Sequence, residues 1–597
     1  MMNKRVRNLS ADLKKPKVKN VHETLRRIWQ YVKADKMMFL LVVIMVFFSA
    51  VLSLLGPYFI GVAVDVMTGT LSFFSFKLLL ILLLGIFILQ SVTIALQNYW
   101  MIGISQKAVF ALRRDLFGHV LHLPTSFFQQ TESGDLISRL TNDVENISRT
   151  LNSAIIQVTT SILTLVGTLA VMIWLSPLLT LLTVTIVPIM YMGMKWITKR
   201  TNYYFKERQK ELGNMTGFLE ETLSGHSMVK LFHQEKRVID EYQQRNEKLR
   251  RAGYWAQVYS GFIPKLMNGL NNFAFAIIVG IGGWIVLATN STTITIGIIV
   301  TFTTYARQFT RPLNDLANEF NMVLSAIAGA ERAFELIDQD TEAKEEGKQA
   351  LSTIQGDIEF KDVSFSYKDN EHVLQSISFH AKPGQMIALV GPTGAGKTTI
   401  LSLLTRFFQE QAGEILLDGQ PMKQLTNQSI RSHLGIVLQD TYLFDTTIRE
   451  NIRYGKLSAT DQEVEDAAKL ANAASFIERL PNKYDTVLEG NGQGISQGQR
   501  QLLMIARAML SNPSLLLLDE ATSSIDTITE LKITDALEKL MQGKTSFVIA
   551  HRLNTIEKAD MILVLKDGKI IEKGTHSILM KEKGFYANLI ETQTVYE

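Results

Sequence analysis

Six stretches in the first half of the chain are almost wholly apolar, at residues 37–60, 76–98, 153–175, 178–198, 271–288 and 294–312, and the residues between them are charged. A hydrocarbon core of about 30 Å takes about 20 apolar residues to cross as a helix, so each stretch predicts one membrane span. An even number of spans leaves both ends of this region on one side, and the cations choose it. Lys14, Lys15, Lys17 and Lys19 precede the first span, Arg113 and Arg114 follow the second, and Lys195, Lys199, Arg200, Lys206, Arg208 and Lys210 follow the fourth. The short turns on the opposite side carry almost none, so the positive-inside rule puts both termini in the cytoplasm, on a multi-pass protein of the cytoplasmic membrane. Trp174 and Trp284 fall near outer ends and Trp196 near an inner one, as an aromatic belt requires. The first apolar run is long enough to stay in the bilayer rather than leave as a cleaved signal.

Residues 97–148 and 198–262 keep helical periodicity with too little hydrophobicity for lipid, which predicts spans that continue as helices into the cytosol. Each is interrupted in its middle, by FFQQTESG at 127–134 and by ETLSGHSM at 221–228, placing a short crossing helix at the tip where it can touch a soluble domain. Ahead of the spans, Val21 to Val32 gathers Leu25, Ile28, Trp29 and Val32 on one helical face and Arg26 and Arg27 on another, the pattern of a helix lying in the membrane interface. Polar residues within spans are costly and therefore informative. Asp65 follows the Gly56-Pro57 kink and reads either as part of an outer gate or as an interfacial residue facing water. Phe47, Phe48, Met190, Met192, Met194, Phe273, Phe275, Phe302 and Tyr305 are candidates for an adaptable apolar cavity.

Apolar residues make up 47% of the 597-residue chain, and their crowding before about residue 315 divides it into a membrane part and a soluble part. The net charge of +4 is small for this length and gives no case for nucleic acid. With no cysteine, disulfides, thiolate metal sites and a cysteine nucleophile are excluded.

The soluble part opens after a polar stretch at 339–353 with an alternating strand, 356–367, and then reaches GPTGAGKT at Gly391 to Thr398. This fits the phosphate-loop pattern, and it lies between an apolar strand and a helix as that pattern needs. Gly391, Gly394 and Gly396, with Pro392, Thr393 and Ala395 between them, let backbone N–H groups point at phosphate oxygens. Lys397 reaches the outer phosphates, the Thr398 hydroxyl ligates Mg2+, and Thr399 continues the helix whose N-terminus adds positive potential. Tyr367, two dozen residues earlier, is placed to stack on an adenine. Gln439 follows a strand and offers an amide to magnesium and the attacking water. The apolar run Leu515 to Leu518 ends in Asp519, a magnesium partner, and Glu520 comes next as general base. His551 follows the strand 546–550 and can reach a γ-phosphate.

One further motif, ISQGQ at Ile495 to Gln499, leads into the helix 500–510. It resembles the LSGGQ signature of ATP-binding cassette (ABC) proteins and falls between Gln439 and Asp519 as in that family. Together with six spans ahead of one cassette, the chain from about residue 20 to 590 resembles a half-size ABC exporter of the kind shared by bacterial multidrug and lipid-A exporters.

The resemblance implies an all-α six-helix membrane domain with long cytoplasmic extensions over 1–340, a linker over 341–355 and an α/β P-loop cassette over 356–597. It implies ATP and Mg2+ as ligands, and ATPase activity coupled to transport. Ser496 and Gly498 would meet the γ-phosphate, Gln499 would complete the signature, and Ser523 to Asp526 would form the D-loop. In this family two cassettes close head to tail, so a second half-transporter chain is the implied partner. Gln497 and Ile495 depart from the signature, while Glu520 and His551 are intact. That combination resembles the catalytically complete subunit of heterodimeric bacterial multidrug exporters, with a homodimer as the alternative. The implied substrate is an amphipathic small molecule, with lipid export or flipping as the rival. A soluble ABC ATPase has no use for six spans, and an importer usually keeps its cassette on a separate chain.

Overall fold

A computed structural model describes residues 20–69, 75–289, 295–342, 348–367, 372–438, 442–519, 525–550 and 553–594. The chain forms two compact units, Met1–Leu121 with Ser133–Gln339, and His122–Glu132 with Asp340–Glu597.

The first unit is helical. Helix α1, Val21–Val32, buries Thr24 and Val32 but leaves Leu25 and Trp29 exposed, as an interfacial helix does. It is tied down by Arg27, which donates to both carboxylate oxygens of Asp338 at 2.7 and 2.8 Å. Long helices follow: α2 Lys36–Met67, α3 Phe76–Leu121, then the short α4 Thr125–Gln130 and α5 Ser133–Ser138, α6 Val144–Leu175, α7 Pro177–Ser224, the short α8 His226–Leu231, α9 Glu235–Thr289 and α10 Ile296–Ile337. At 1.5 Å per residue, the 46 residues of α3 and the 55 of α9 are more than twice as long as a bilayer core is thick, so they must extend beyond it. Among the described residues, four helical stretches are long and apolar enough to cross a membrane, within 21–67, 76–121, 133–175 and 235–287. The expected spans 178–198 and 294–312 fall on α7 and α10 and include residues whose side chains lie outside the described set.

A short helix lies at each expected interruption. Pro124, which has no N–H to continue the helix, ends the run from α3, and α4 starts at Thr125. At the other tip the break falls at Gly225, and the crossing helix is 226–231.

Pro57 and Asp65 decide how α2 meets α10. Pro57 cannot donate to Ser53 O, and Gln308 Nε2 donates there instead, at 3.4 Å. Tyr305 Oη donates to Leu54 O at 2.5 Å and Thr301 Oγ1 to Pro57 O at 3.2 Å, so α10 answers the carbonyl that Pro57 leaves free and adds two further bonds around it. Above the kink Asp65 is buried. It accepts from Thr295 Oγ1 at 2.6 Å and from Gly297 N–H at 2.8 Å, capping the first turn of α10. This corrects the water-facing reading of Asp65, because a carboxylate at a buried helix start is stabilised by orphan N–H donors rather than by solvent. Phe302 and Tyr305 are fully buried packing residues rather than cavity lining, whereas Phe47, Phe48, Met192, Phe273 and Phe275 are exposed in the single chain. Met190 and Met194 lie outside the described side chains. The backbones touch at Gly61 and Gly297: a Cβ on Gly61 would sit 1.8 Å from Thr301 Oγ1 and 2.6 Å from Gly297 O.

The second unit is built on two sheets. Strands β1 Ile358–Ser366, β2 His372–Ala381, β4 Ala412–Leu417 and β5 Gln420–Pro421 form an antiparallel sheet in the order β2-β1-β4-β5. The other sheet runs β10-β9-β3-β8-β7-β6, with β3 Met386–Val390, β6 Leu434–Val437, β7 Leu515–Asp519, β8 Thr545–Ile549, β9 Met561–Lys566 and β10 Lys569–Gly574. From β9 to β6 every pairing is parallel, and only β10 at the edge is antiparallel. Alternate residues feed two cores: Leu516, Leu518 and Val548 face one, while Leu515, Leu517 and Phe547 face the other. That is why β7 and β8 read as unbroken apolar runs.

Gly61→Ala and Gly85→Ala form a paired test of the α2–α10 contact. Both substitutions favour helix by about 1 kcal/mol, but Gly85 has nothing within 4 Å of its would-be Cβ. Thermal unfolding in detergent should show Gly61→Ala destabilised and Gly85→Ala unchanged or stabilised.

Candidate functional site

The site grows from the end of β3. This strand is buried between β9 and β8, so its C-terminus is fixed, and the chain must turn at once into helix α11, Lys397–Leu404. The turn passes too close to its neighbours for side chains. A Cβ on Gly391 would lie 2.2 Å from Leu565 O, and one on Gly396 would lie 2.6 Å from Leu374 Cδ2. Gly394 and Gly396 also adopt φ of 84° and 101°, which L-residues rarely take. Ala395 N–H closes the turn on Pro392 O at 3.2 Å, and the Ala395 side chain packs into the core beneath. Pro392, Thr393 and Gly394 form the exposed outer rim.

Lys397 folds back across this loop, donating to Gly391 O at 2.7 Å and Pro392 O at 3.0 Å. Partial burial pushes its ammonium below the usual lysine range, and the negative charge of Asp519 acts the other way. A half-buried cation whose hydrogen bonds, among the described residues, go to carbonyls, at a helix start with bare backbone around it, fits a polyanion. Thr398 is exposed at the first turn, while Thr399 is buried and shares a hydrogen bond of 3.2 Å with the Tyr367 hydroxyl. The Tyr367 ring is half exposed and is held edge-on by Phe365 and Phe408, with centroids 4.9 and 5.0 Å away.

Asp519 ends β7 in a register that puts it beside Ile549 of β8, and Ile549 beside Leu389 of β3; Leu518 in turn pairs with Val437 of β6. Four parallel strands therefore finish at one edge of the sheet, where ligands of open α/β sheets bind. The chain leaves that edge towards Gln439 after β6, Glu520 after β7 and His551 after β8. Gln439, Glu520 and His551 themselves lie outside the described residues, as do Ser523 and Ser524. The oxygen donors that are described, Thr398 and Asp519, are of the hard kind that suits magnesium.

Ser496, Gly498 and Gln499 sit at the start of helix α13, Gln497–Ser511. Ser496 Oγ accepts from Gln499 N–H at 3.2 Å and Gln499 Oε1 accepts from Ser496 N–H at 2.9 Å, a reciprocal capping box. Gly498 is buried against helix α14, Thr527–Met541, where a Cβ would strike Thr529 Cγ2 at 2.4 Å. Gln497 is exposed, so a glutamine there leaves the fold undisturbed while a side chain at 498 would not. Asp526 caps α14, accepting from Thr529 N–H at 2.9 Å, and that bond holds its carboxyl below the usual range.

The structure thus brings Gly391 to Thr399, Tyr367 and Asp519 together. Ser496 to Gln499 make their capping and packing contacts with each other and with α14. The Tyr367–Thr399 bond and the supports from Leu374, Phe408 and Leu565 carried no signal in sequence, because each joins segments far apart along the chain.

Comparison with known proteins bears on this arrangement. Residues 39–313 match the ABC transporter transmembrane region family, and residues 374–523 match the ABC transporter family. The chain is 54% identical over 581 residues to the uncharacterized ABC transporter ATP-binding protein YfiC of Bacillus subtilis, covering 97% of this chain and 96% of that one. It is 42% identical over 481 residues to a fatty acid ABC transporter ATP-binding/permease protein of Mycobacterium bovis, covering 81% and 76%. A bacterial Atm1-family ABC exporter solved with ATP bound superposes with a TM-score of 0.75 at 29% identity, covering 94% of this chain and 98% of that one.

Gly391→Ala should weaken polyphosphate binding at least tenfold in a fluorescent-nucleotide titration, because Leu565 O leaves no room for a methyl group. Gly384→Ala, at φ 76° with nothing within 4 Å, should cost about 1–2 kcal/mol of stability and leave binding unchanged.

Proposed function

The chain belongs to the ATP-binding cassette transporter family, and from that premise we propose that it is one half of an exporter that moves amphipathic small molecules out across the cytoplasmic membrane. The observation that carries this reading is the shared edge at which the parallel strands β3, β8, β7 and β6 end, with the glycine loop following β3 and Asp519 closing β7.

The loop N–H groups and Lys397 hold the β- and γ-phosphates of ATP, and Tyr367 packs on the adenine. Thr398, Gln439 and Asp519 would hold Mg2+, which when bound neutralises phosphate charge. Glu520 takes the proton of the attacking water, Gln439 helps orient that water, and His551 contacts the γ-phosphate. Ser496, Gly498 and Gln499 serve the ATP held by the partner chain, so each chain supplies half of two sites. ATP thereby binds the closed pair better than the open one, and only such a difference can shift the equilibrium. Turning a 1:99 population into 99:1 takes about 5.5 kcal/mol, within reach of two sandwiched nucleotides. Helices α4 and α8 carry closure to the spans, and hydrolysis resets them.

The partner we favour is a different half-transporter, because Gln497 alters the signature at the exposed position while Glu520 and His551 are retained; the alternative is a second copy of this chain. A lipid-like substrate is the second reading, and what favours it is the 42% identity to a protein whose name specifies fatty acids.

Glu520→Gln should keep ATP affinity and lower hydrolysis by about 10²-fold or more; near-wild-type turnover would show that another group is the base. A tagged chain extracted in mild detergent from its native host should bring down a second, non-identical half-transporter, and a single band would favour the homodimer. Inverted vesicles carrying the complex should accumulate rhodamine 6G or a fluorescent fatty acid with ATP, and the preferred probe separates the two substrate readings.

A further inference from the structure

Arg431 stands on the short helix α12, Asn427–Ser432, which leads into β6, and its guanidinium makes four hydrogen bonds. Nη1 and Nη2 donate to the two carboxylate oxygens of Glu342 at 2.7 and 3.1 Å. Nε donates to Thr405 O at 3.1 Å and Nη2 to Arg406 O at 3.0 Å, with the group also lying over the Phe407 ring at 5.4 Å. Glu342 in turn donates its N–H to His122 O at 2.9 Å. Through its own bonds and the Glu342 backbone, Arg431 is thus connected to three segments of the second unit that are remote in sequence.

Each segment has a distinct place in the chain. His122 links α3 to α4. Glu342 lies on the connection between membrane domain and cassette. Thr405 and Arg406 end α11, the helix that begins at Lys397. That end is a Schellman turn: Arg406 N–H donates to Leu403 O at 3.1 Å and Phe407 N–H to Ser402 O at 3.2 Å. Arg406 takes the left-handed position at φ 57°, where glycine is usual, with its side chain buried beside Glu410. The carbonyls left over at this end are the ones Arg431 caps. Phe408, two residues on, is the ring that supports Tyr367. The Arg431–Glu342 pair is bidentate and about two-thirds buried or more, at 32% and 24% exposure, which sets it apart from a solvated surface pair.

We infer that Arg431 is a positioning residue that, through Glu342, fixes the segment carrying α4 to the far end of the phosphate-loop helix, so that nucleotide-dependent displacement of α11 is passed to α4 and along the chain to α3. The inference rests on the ATP-driven transport reading above. It assigns separable roles to the two halves of the network. The bonds to Thr405 and Arg406 steady the nucleotide site, and the bonds to Glu342 transmit.

The test uses the full-length protein with its co-purified partner in nanodiscs, and reads hydrogen exchange at residues 125–130 with and without ATP alongside ATP affinity. Allosteric couplings are typically 5–150-fold, so ATP should change exchange there by at least about fivefold in the wild type. In Glu342→Gln the response should shrink to less than about twofold, with ATP affinity unchanged, because the carbonyl caps remain. Arg431→Lys, which lacks the planar fork, should lose the response and also weaken ATP binding. The double exchange Glu342→Arg with Arg431→Glu should recover the response but not the affinity, since a carboxylate at 431 cannot donate to carbonyls. A Glu342→Gln protein that keeps the wild-type response, or one that loses affinity and response in equal measure, overturns the inference. Transport enters separately: wild-type vesicles that hydrolyse ATP and accumulate neither rhodamine 6G nor a fluorescent fatty acid would overturn the export reading, while the exchange experiment would still decide the role of Arg431.

Discussion

Backbone amides can hold a phosphate chain only if nothing stands between the backbone and the ligand, and this requirement governs the second unit. At Gly391 the loop runs within van der Waals distance of Leu565 O on the neighbouring strand, and at Gly396 it presses on Leu374. The loop is therefore clamped on its inner side and bare on its outer side. The clamp exists because β3 is a central strand buried on both faces, which leaves its end no freedom to move. Parallel pairing then extends the same fixed edge to β8, β7 and β6. A site assembled this way needs no rigid loop of its own, since the sheet supplies the rigidity.

The membrane unit answers a different constraint. In hydrocarbon no water is available to satisfy a freed carbonyl, so a proline inside a span must be answered by a neighbour. At Pro57 Gln308 of α10 supplies that donor, with Tyr305 and Thr301 bonding to neighbouring carbonyls, and at Asp65 the exchange runs the other way, α2 supplying an acceptor to the start of α10. The two helices are joined by reciprocal polar satisfaction along a seam where Gly61 and Gly297 let their backbones touch. Such a seam is specific in register, because sliding one helix by a turn would leave several buried groups unpaired at once.

The seam between α2 and α10 and the network at Arg431 share a property that bears on mechanism. Both use polar groups to pin elements that apolar packing alone would hold in many registers. Where helices move as bodies, discrete attachments of this kind define which parts move together.

Sequence alone determined what depends on local order. Apolar run length set where spans can lie, cation placement set the expected cytoplasmic side, and the spacing of glycines in GPTGAGKT marked the loop, because each is a property of consecutive residues. It also put Tyr367 and Asp519 forward as candidates, although it could not say what holds them. Tertiary structure decided that Asp65 is a buried cap instead of a water-facing residue, that Phe302 and Tyr305 are packing rather than lining, that Gly498 is the signature position which excludes a side chain while Gln497 is exposed, and that Arg431 pairs with Glu342, whose backbone N–H meets His122 O. Each of these rests on a contact between segments tens to hundreds of residues apart, and periodicity along one segment carries no information about which other segment will lie against it.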